Sequence, residues 1–446
     1  MTKNSIWTPF DAPIVSRRGV LQGIGVAIAH SVMSTNAVAL NGVGEPSPRV
    51  ESKPVPAMGK NRNVEYGQDT LPLGIRSRRI NNNNGVTMHI LEAGFESAKR
   101  PCVVLLHGFP ELAYSWRKQL LPLAQAGFHV VAPDLRGYGR SAATPVTFDD
   151  DLLPYVLLNR VSDVLGLVRA LGYEKVAAVV GHDWGGPTAA WCALVRPDVF
   201  QSVVLMSTPF NGSPTLPLDT ANNLGAPVPN GDINNELAAL PKPRKHYQWY
   251  SATRDANENM WRAPQGVHDL LRALYHFKSA DWKGNKPFAL KSTAATELAK
   301  MPAYYIMDLD KGIAETMAAE MPSKAQIAAC QWLTEEDLRV YSAEYIRTGF
   351  QGGLNSYRTL TNPNFSGELK SFSDRTIDVP SCFIAGASDW GVYQSQGAFE
   401  EMQQAACTRF LGAHLVEGAG HSTAEEQPGK VNRLLIEFLQ RDRLKG

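Results

Sequence analysis

From about residue 75 onward, short runs of branched apolar residues alternate with longer stretches of helical periodicity. The runs at 76–80, 85–93, 102–106, 129–132, 176–180 and 202–206 read as strands, because they are short, β-branched and bounded by turn-forming residues. Helix-length crossovers separate the later strands. Such alternation predicts an α/β fold with a mostly parallel sheet covered on both faces. Asn81-Asn-Asn-Asn-Gly85 joins the first two strands and predicts an antiparallel hairpin at the start of the sheet. Ligands of such a sheet bind beyond the carboxyl ends of its strands.

After Thr208-Pro209 the pattern changes to loops rich in proline, glycine and asparagine, mixed with helical segments. It lasts until about Phe365, and the sheet pattern returns at Pro380-Ser-Cys-Phe-Ile-Ala-Gly386. The chain therefore divides into a core of two parts, 71–209 and 366–446, with a mainly helical cap, 210–365, inserted between them. Within the cap, Thr334-Glu-Glu-Asp337 has the form of a capping box opening a helix that Gly349 ends. The stretch 212–243 is the most loop-like of the body and is expected to lie over the site.

The strand expected at 176–180 runs into Gly181-His-Asp-Trp-Gly-Gly186, a sharp strand-to-helix turn carrying Asp183 where a serine esterase carries its nucleophile. Asp183 can be read as the N-cap of the next helix. It can equally be a carboxylate nucleophile, which attacks an electrophilic sp3 carbon and leaves an ester that water must cleave. Cleaving that ester needs a base, a carboxylate to orient the base, and donors for the oxyanion. Gly418-Ala-Gly-His421 follows the last strand, and Gly386-Ala-Ser-Asp389 follows the one before it. Nucleophile, acid and histidine thus come in the chain order of an α/β-hydrolase core. His107-Gly-Phe109 follows Val103-Val-Leu-Leu106, so the backbone N–H groups of Phe109 and Trp184 are the expected oxyanion hole.

His107-Gly-Phe-Pro-Glu111, Tyr114-Ser-Trp-Arg117, Ala132-Pro-Asp-Leu-Arg-Gly-Tyr-Gly139 and the Asp183 turn together resemble the soluble epoxide hydrolases. The likeness spans about 75–209 and returns after about 343. It implies Asp183 as nucleophile, His421 as water-activating base, Asp389 as its orienting acid, and a cis Phe109-Pro110 bond. It also implies two cap tyrosines that protonate the leaving epoxide oxygen. Lys245-His-Tyr-Gln-Trp-Tyr250 points to Tyr247, with Tyr250 an alternative in the same motif, and the segment 349–358 points to Tyr357. Ser356 and Ser422 stand where the family carries aromatic residues, which implies a more open or more polar pocket wall. Tyr341 and Tyr345 are expected to pack, Asp134 to hold a turn, and His182 to orient the elbow or pack.

Lysine plus arginine (44) balances aspartate plus glutamate (43), without basic blocks interleaved with aromatics. Nucleic acid is therefore not an expected partner, and a small neutral epoxide is. No metal or nucleotide fingerprint stands out, so chemistry without a cofactor is expected. The five cysteines are scattered and show no disulfide framework. Ser16-Arg-Arg-Gly-Val-Leu-Gln22, a short apolar stretch and Ala37-Val-Ala39 resemble a twin-arginine signal over 1–39, followed by a linker over 40–70. Periplasmic export without a stable membrane anchor is the expectation. Two other functions fit the residues: a haloalkane or haloacid dehalogenase using the same nucleophile, and a ligand-binding member of the fold without turnover.

Overall fold

The computed structural model describes Tyr66 and residues 70–82, 84–97, 100–142, 144–214 and 233–441. The expected signal, and nearly all of the linker, lie outside these residues. β1 (Arg76–Asn81) and β2 (Thr87–Ala93) form the expected hairpin, with Arg76 opposite Glu92. β3 (Cys102–Leu106), β4 (His129–Pro133), β5 (Ala178–His182) and β6 (Val203–Met206) follow. In the cap, β7 (Arg244–His246) pairs antiparallel with β8 (Ile306–Asp308), and β9 (Ser381–Gly386) and β10 (Phe410–Val416) return to the core. The core sheet has eight strands in the order β1-β2-β4-β3-β5-β6-β9-β10, parallel from β4 to β10.

β3 and β5 are buried along their whole length. Each valine or leucine so buried contributes ~1.5–3 kcal/mol, which fixes the loops at the strand ends. β4 lies on one side of β3 and β5 on the other, so the crossovers diverge where these two central strands end. The expected strand at 176–180 sits two residues later. Val176 makes only an isolated bridge to Phe200, while pairing with β3 runs on to Leu106 opposite Gly181 and carries the strand to the turn.

The cap also departs from expectation in carrying the β7–β8 ribbon among its helices. Of the stretch 212–243, residues 215–232 lie outside the described residues, and Ile233–Ala238 is helical rather than loop. The helix Glu335–Thr348 begins as expected, with the Thr334 side chain accepting from the Asp337 N–H, and ends at Gly349 with φ of 67°. All five cysteines are free.

Candidate active site

Asp183 occupies the left-handed region, with φ of 49°. The turn that holds it there requires glycine on both sides. A Cβ on Gly181 would lie 2.0 Å from the Gly185 carbonyl oxygen, and one on Gly185 would lie 2.3 Å from that of Leu106. The following helix, Gly185–Val195, is preceded by Trp184 without a side-chain cap. Asp183 is therefore not its cap. Instead its Oδ1 accepts the Phe109 N–H at 2.8 Å, across the ends of β3 and β5. The Trp184 N–H, the other expected oxyanion donor, makes no hydrogen bond to the resting carboxylate. The Phe109-Pro110 bond is cis.

His421 stands beyond β10 with its Nε2 3.4 Å from Asp183 Oδ2 and its Nδ1 3.0 Å from Asp389 Oδ1. Asp389 is fixed in turn by the Gly391 N–H at 2.8 Å and by the Ser207 hydroxyl, which donates to Oδ2 at 2.5 Å. Ser207 Oγ also lies 2.8 Å from His421 Nδ1. Burial opposes ionisation of Asp183, but the apposed His421 and the charges of Lys278 and His182 hold its carboxyl well below the usual range. Burial likewise opposes Asp389, whose pKa the His421 ring and these hydrogen bonds lower. The geometry brings together a carboxylate, a base aimed at it, and an acid aimed at the base.

Tyr247 and Asp183 line one cavity of about 590 Å³, a volume suited to a small organic ligand. Tyr357 packs edge-on against Trp184, Phe109 and Tyr247, at ring-centroid distances of 4.9, 5.6 and 5.9 Å. The Tyr247 hydroxyl donates to Gln394 Oε1 at 3.0 Å. Tyr250, the alternative in the same motif, lies elsewhere: the Lys245 ammonium sits 4.4 Å over its ring, and Glu315 is the first charge acting on its phenol. Burial, then the Asp183 charge, raises the Tyr247 pKa, and burial followed by Tyr304, Tyr247 and Asp183 raises that of Tyr357. Both phenols keep their protons at neutral pH.

Tyr341 and Tyr345 are satisfied packing residues, donating to Glu425 Oε1 at 3.0 Å and to the Glu111 carbonyl at 3.1 Å. Asp134 holds its turn by accepting the N–H groups of Ala113 and Arg140. Three contributors escaped the sequence reading. Ser207 follows Met206, the last residue of β6, and has no motif around it. Lys278 ends the cap helix Gly266–Lys278; its carbonyl accepts the His421 N–H at 2.9 Å and its ammonium lies 5.4 Å from the Tyr304 ring centroid. Burial lowers the Lys278 pKa against the opposing charges of Asp183, Asp389 and Glu111. The third, Glu111, was visible in the His107 motif but without a role.

Glu111 Oε2 accepts from His182 Nδ1 at 2.9 Å, and His182 Nε2 faces the His421 carbonyl at 2.8 Å. Both ring nitrogens of His182 therefore face acceptors, which requires the doubly protonated ring. Burial would lower its pKa, but the Glu111 carboxylate outweighs burial and raises it to about 9. The folded-state value exceeds that of free imidazole (~6.5), so the bridge contributes fully below about pH 6.5 and is lost as pH rises through about 9. Glu426, lifted to about 8 chiefly by burial, loses stability over a lower window. Denaturant midpoints measured against pH should keep declining above about pH 8, and His182→Asn should remove that upper part of the decline. An unchanged profile in the variant would contradict a charged His182.

Residues 101–262 match the α/β-hydrolase-fold family. Epoxide hydrolase B of Mycobacterium tuberculosis is 33% identical over 81% of this chain and 97% of its own length. Epoxide hydrolase 3 of Siraitia grosvenorii is 31% identical over 81% of this chain and 97% of its own. Among solved structures, an epoxide hydrolase from an endophytic Streptomyces is 32% identical with a TM-score of 0.65, covering 83% of this chain and 97% of that one. Potato epoxide hydrolase I is 27% identical with a TM-score of 0.62, covering 82% and 99%. With its eight-stranded, mostly parallel sheet and an aspartate on the elbow, this chain belongs to the epoxide hydrolases of the α/β-hydrolase fold.

Proposed function

We propose that this protein opens epoxides to vicinal diols through an ester on Asp183. The observation carrying this reading is the placing of Asp183: one oxygen on the Phe109 N–H, the other facing His421, beside two protonated phenols. Oδ2 attacks a ring carbon, the ring C–O bond breaks, and the oxygen takes a proton from Tyr247 or Tyr357. His421 then removes a proton from water while the resulting hydroxide adds to the ester carbon. The N–H groups of Phe109 and Trp184 hold the oxyanion on Oδ1. Collapse expels the diol oxygen, which takes its proton from His421, and leaves Asp183 as the free acid; that acid's proton returns to the phenolate left by ring opening, which restores Asp183 and the tyrosine.

Aryl, aliphatic and terpenoid epoxides should yield diols, and haloalkanes offered in parallel should release no halide. Halide without diol would assign a dehalogenase, and tight binding of both without turnover a non-catalytic member of the fold.

The proposed destination is the periplasm, resting on Arg17-Arg18 and Ala37-Val-Ala39. In a bacterial host, mature protein should begin near Leu40, and replacing both arginines by lysine should retain it in the cytoplasm. Exported protein with an intact N-terminal segment would contradict cleavage.

A further inference from the structure

The backbone of His421 is held on both sides: its N–H donates to the Lys278 carbonyl, and its carbonyl accepts from His182 Nε2. What remains free is rotation of the ring about its side-chain bonds, and that rotation decides where Nε2 points. Two polar side chains restrain it, both at Nδ1. Asp389 Oδ1 lies 3.0 Å away and Ser207 Oγ, closer, 2.8 Å.

The proton positions in this trio follow from donor counting. The Ser207 hydroxyl has one hydrogen, which goes to Asp389 Oδ2 at 2.5 Å. Oγ therefore presents a lone pair to His421, so Nδ1 carries the hydrogen that Asp389 Oδ1 and Ser207 Oγ share. In the neutral ring Nε2 is then the bare nitrogen, the form that takes a proton from water. It is buried and has no hydrogen-bond partner of its own.

Ser207 makes these contacts from an unfavourable backbone. Its φ is 69°, and among the described residues only Asp183 and Asp374 share a positive φ without being glycine. The Ser207 N–H donates to the Ile384 carbonyl at 3.2 Å, and the Thr208 N–H turns back to the Met206 carbonyl at 2.8 Å, so the chain reverses over this one residue. A serine there carries strain that glycine would not. Its side chain is fully buried, and room for it comes from Gly391, where a Cβ would lie 2.5 Å from Ser207 Oγ.

From this geometry we propose that Ser207 is a positioning residue for the second chemical step, holding the His421 ring with Nδ1 protonated and Nε2 turned to the Asp183 ester. The role rests on the epoxide-opening reading and adds to it a residue that acts on ester hydrolysis alone. Ring opening uses the Asp183 carboxylate and the phenols, whereas the Ser207 hydroxyl bonds to Asp389 and His421. Once Nε2 takes the water proton, the ring is a cation and Oγ accepts from a charged donor, the stronger kind of hydrogen bond.

Ser207→Gly and Ser207→Ala both remove the hydroxyl, and glycine keeps the turn without strain. The probe is the best substrate from a panel of aryl, aliphatic and terpenoid epoxides, with styrene oxide as the aryl member, mixed with the full chain and rapidly quenched. Each variant should alkylate Asp183 near the unmodified rate but break down the ester about tenfold to a hundredfold more slowly, the worth of one hydrogen bond to a charged group. The ester should accumulate in the steady state, and KM should fall with kcat rather than rise. Ester breakdown is a first-order decay, so partial loss of folded enzyme does not move it. Breakdown at the unmodified rate in both variants, slowing confined to Ser207→Ala, or equal slowing of both steps would overturn the positioning role and leave epoxide opening intact. An unmodified chain that forms no ester on Asp183 with any member of the panel would instead overturn the functional reading on which the role depends.

Discussion

His421→Gln should consume about one epoxide per molecule and then stall, with steady-state diol production reduced ~10²–10⁴-fold, the range of general-base catalysis. Ring opening asks for an ionised Asp183 and a proton donor, and neither depends on the imidazole as a base. The Phe109 N–H still holds Oδ1, and Lys278 and His182 still favour the carboxylate. Ester hydrolysis asks for a proton acceptor at Nε2, 3.4 Å from Asp183 Oδ2, and an amide there cannot take the proton. The two bonds made by the His421 backbone, from its N–H to Lys278 and from His182 to its carbonyl, survive the substitution. Rapid-quench assays of epoxide loss against diol gain separate the steps. Equal rates for both, at the level of the unmodified enzyme, would remove His421 from the mechanism.

The second large effect is expected at the phenols. Tyr247→Phe or Tyr357→Phe should each slow ring opening ~10²-fold, and the double variant should abolish it. Neither change alters the buried ring area, since the aromatic contacts with Trp184, Phe109 and Tyr304 remain. What is lost is the proton for a poor leaving group, the alkoxide. The Asp183 charge helps raise both phenols, so its conversion to a neutral ester makes each a stronger acid as the ring opens. Single-turnover alkylation of Asp183 reads this step alone. An undiminished rate in the double variant would exclude both phenols as the proton source.

The core was legible because β3 and β4 are β-branched runs bounded by turn residues, and the hairpin was announced by Asn81 to Gly85. The juxtaposition of Asp183, Asp389 and His421 was legible because each follows a strand through a glycine-bearing turn. β5 was placed two residues early because Gly181 and His182 lack strand composition. The polar needs of His182 are met by Glu111 and the His421 carbonyl, 71 and 239 residues away. β7 and β8 were missed because three residues, Arg244-Lys-His246 on one side, are too few and too polar to show a period. Ser207 and Lys278 carry no local signal. Their contacts with His421 arise only where the residue after a core strand and the end of a cap helix meet it in the fold.

The most direct test of covalent catalysis is the mass of His421→Gln after exposure to an epoxide. The intact protein should gain the mass of one substrate, and peptide mapping should place it on the segment containing Asp183. Asp183→Asn should not acquire it. An adduct on another residue, or sustained diol production by Asp183→Ala, would contradict the mechanism.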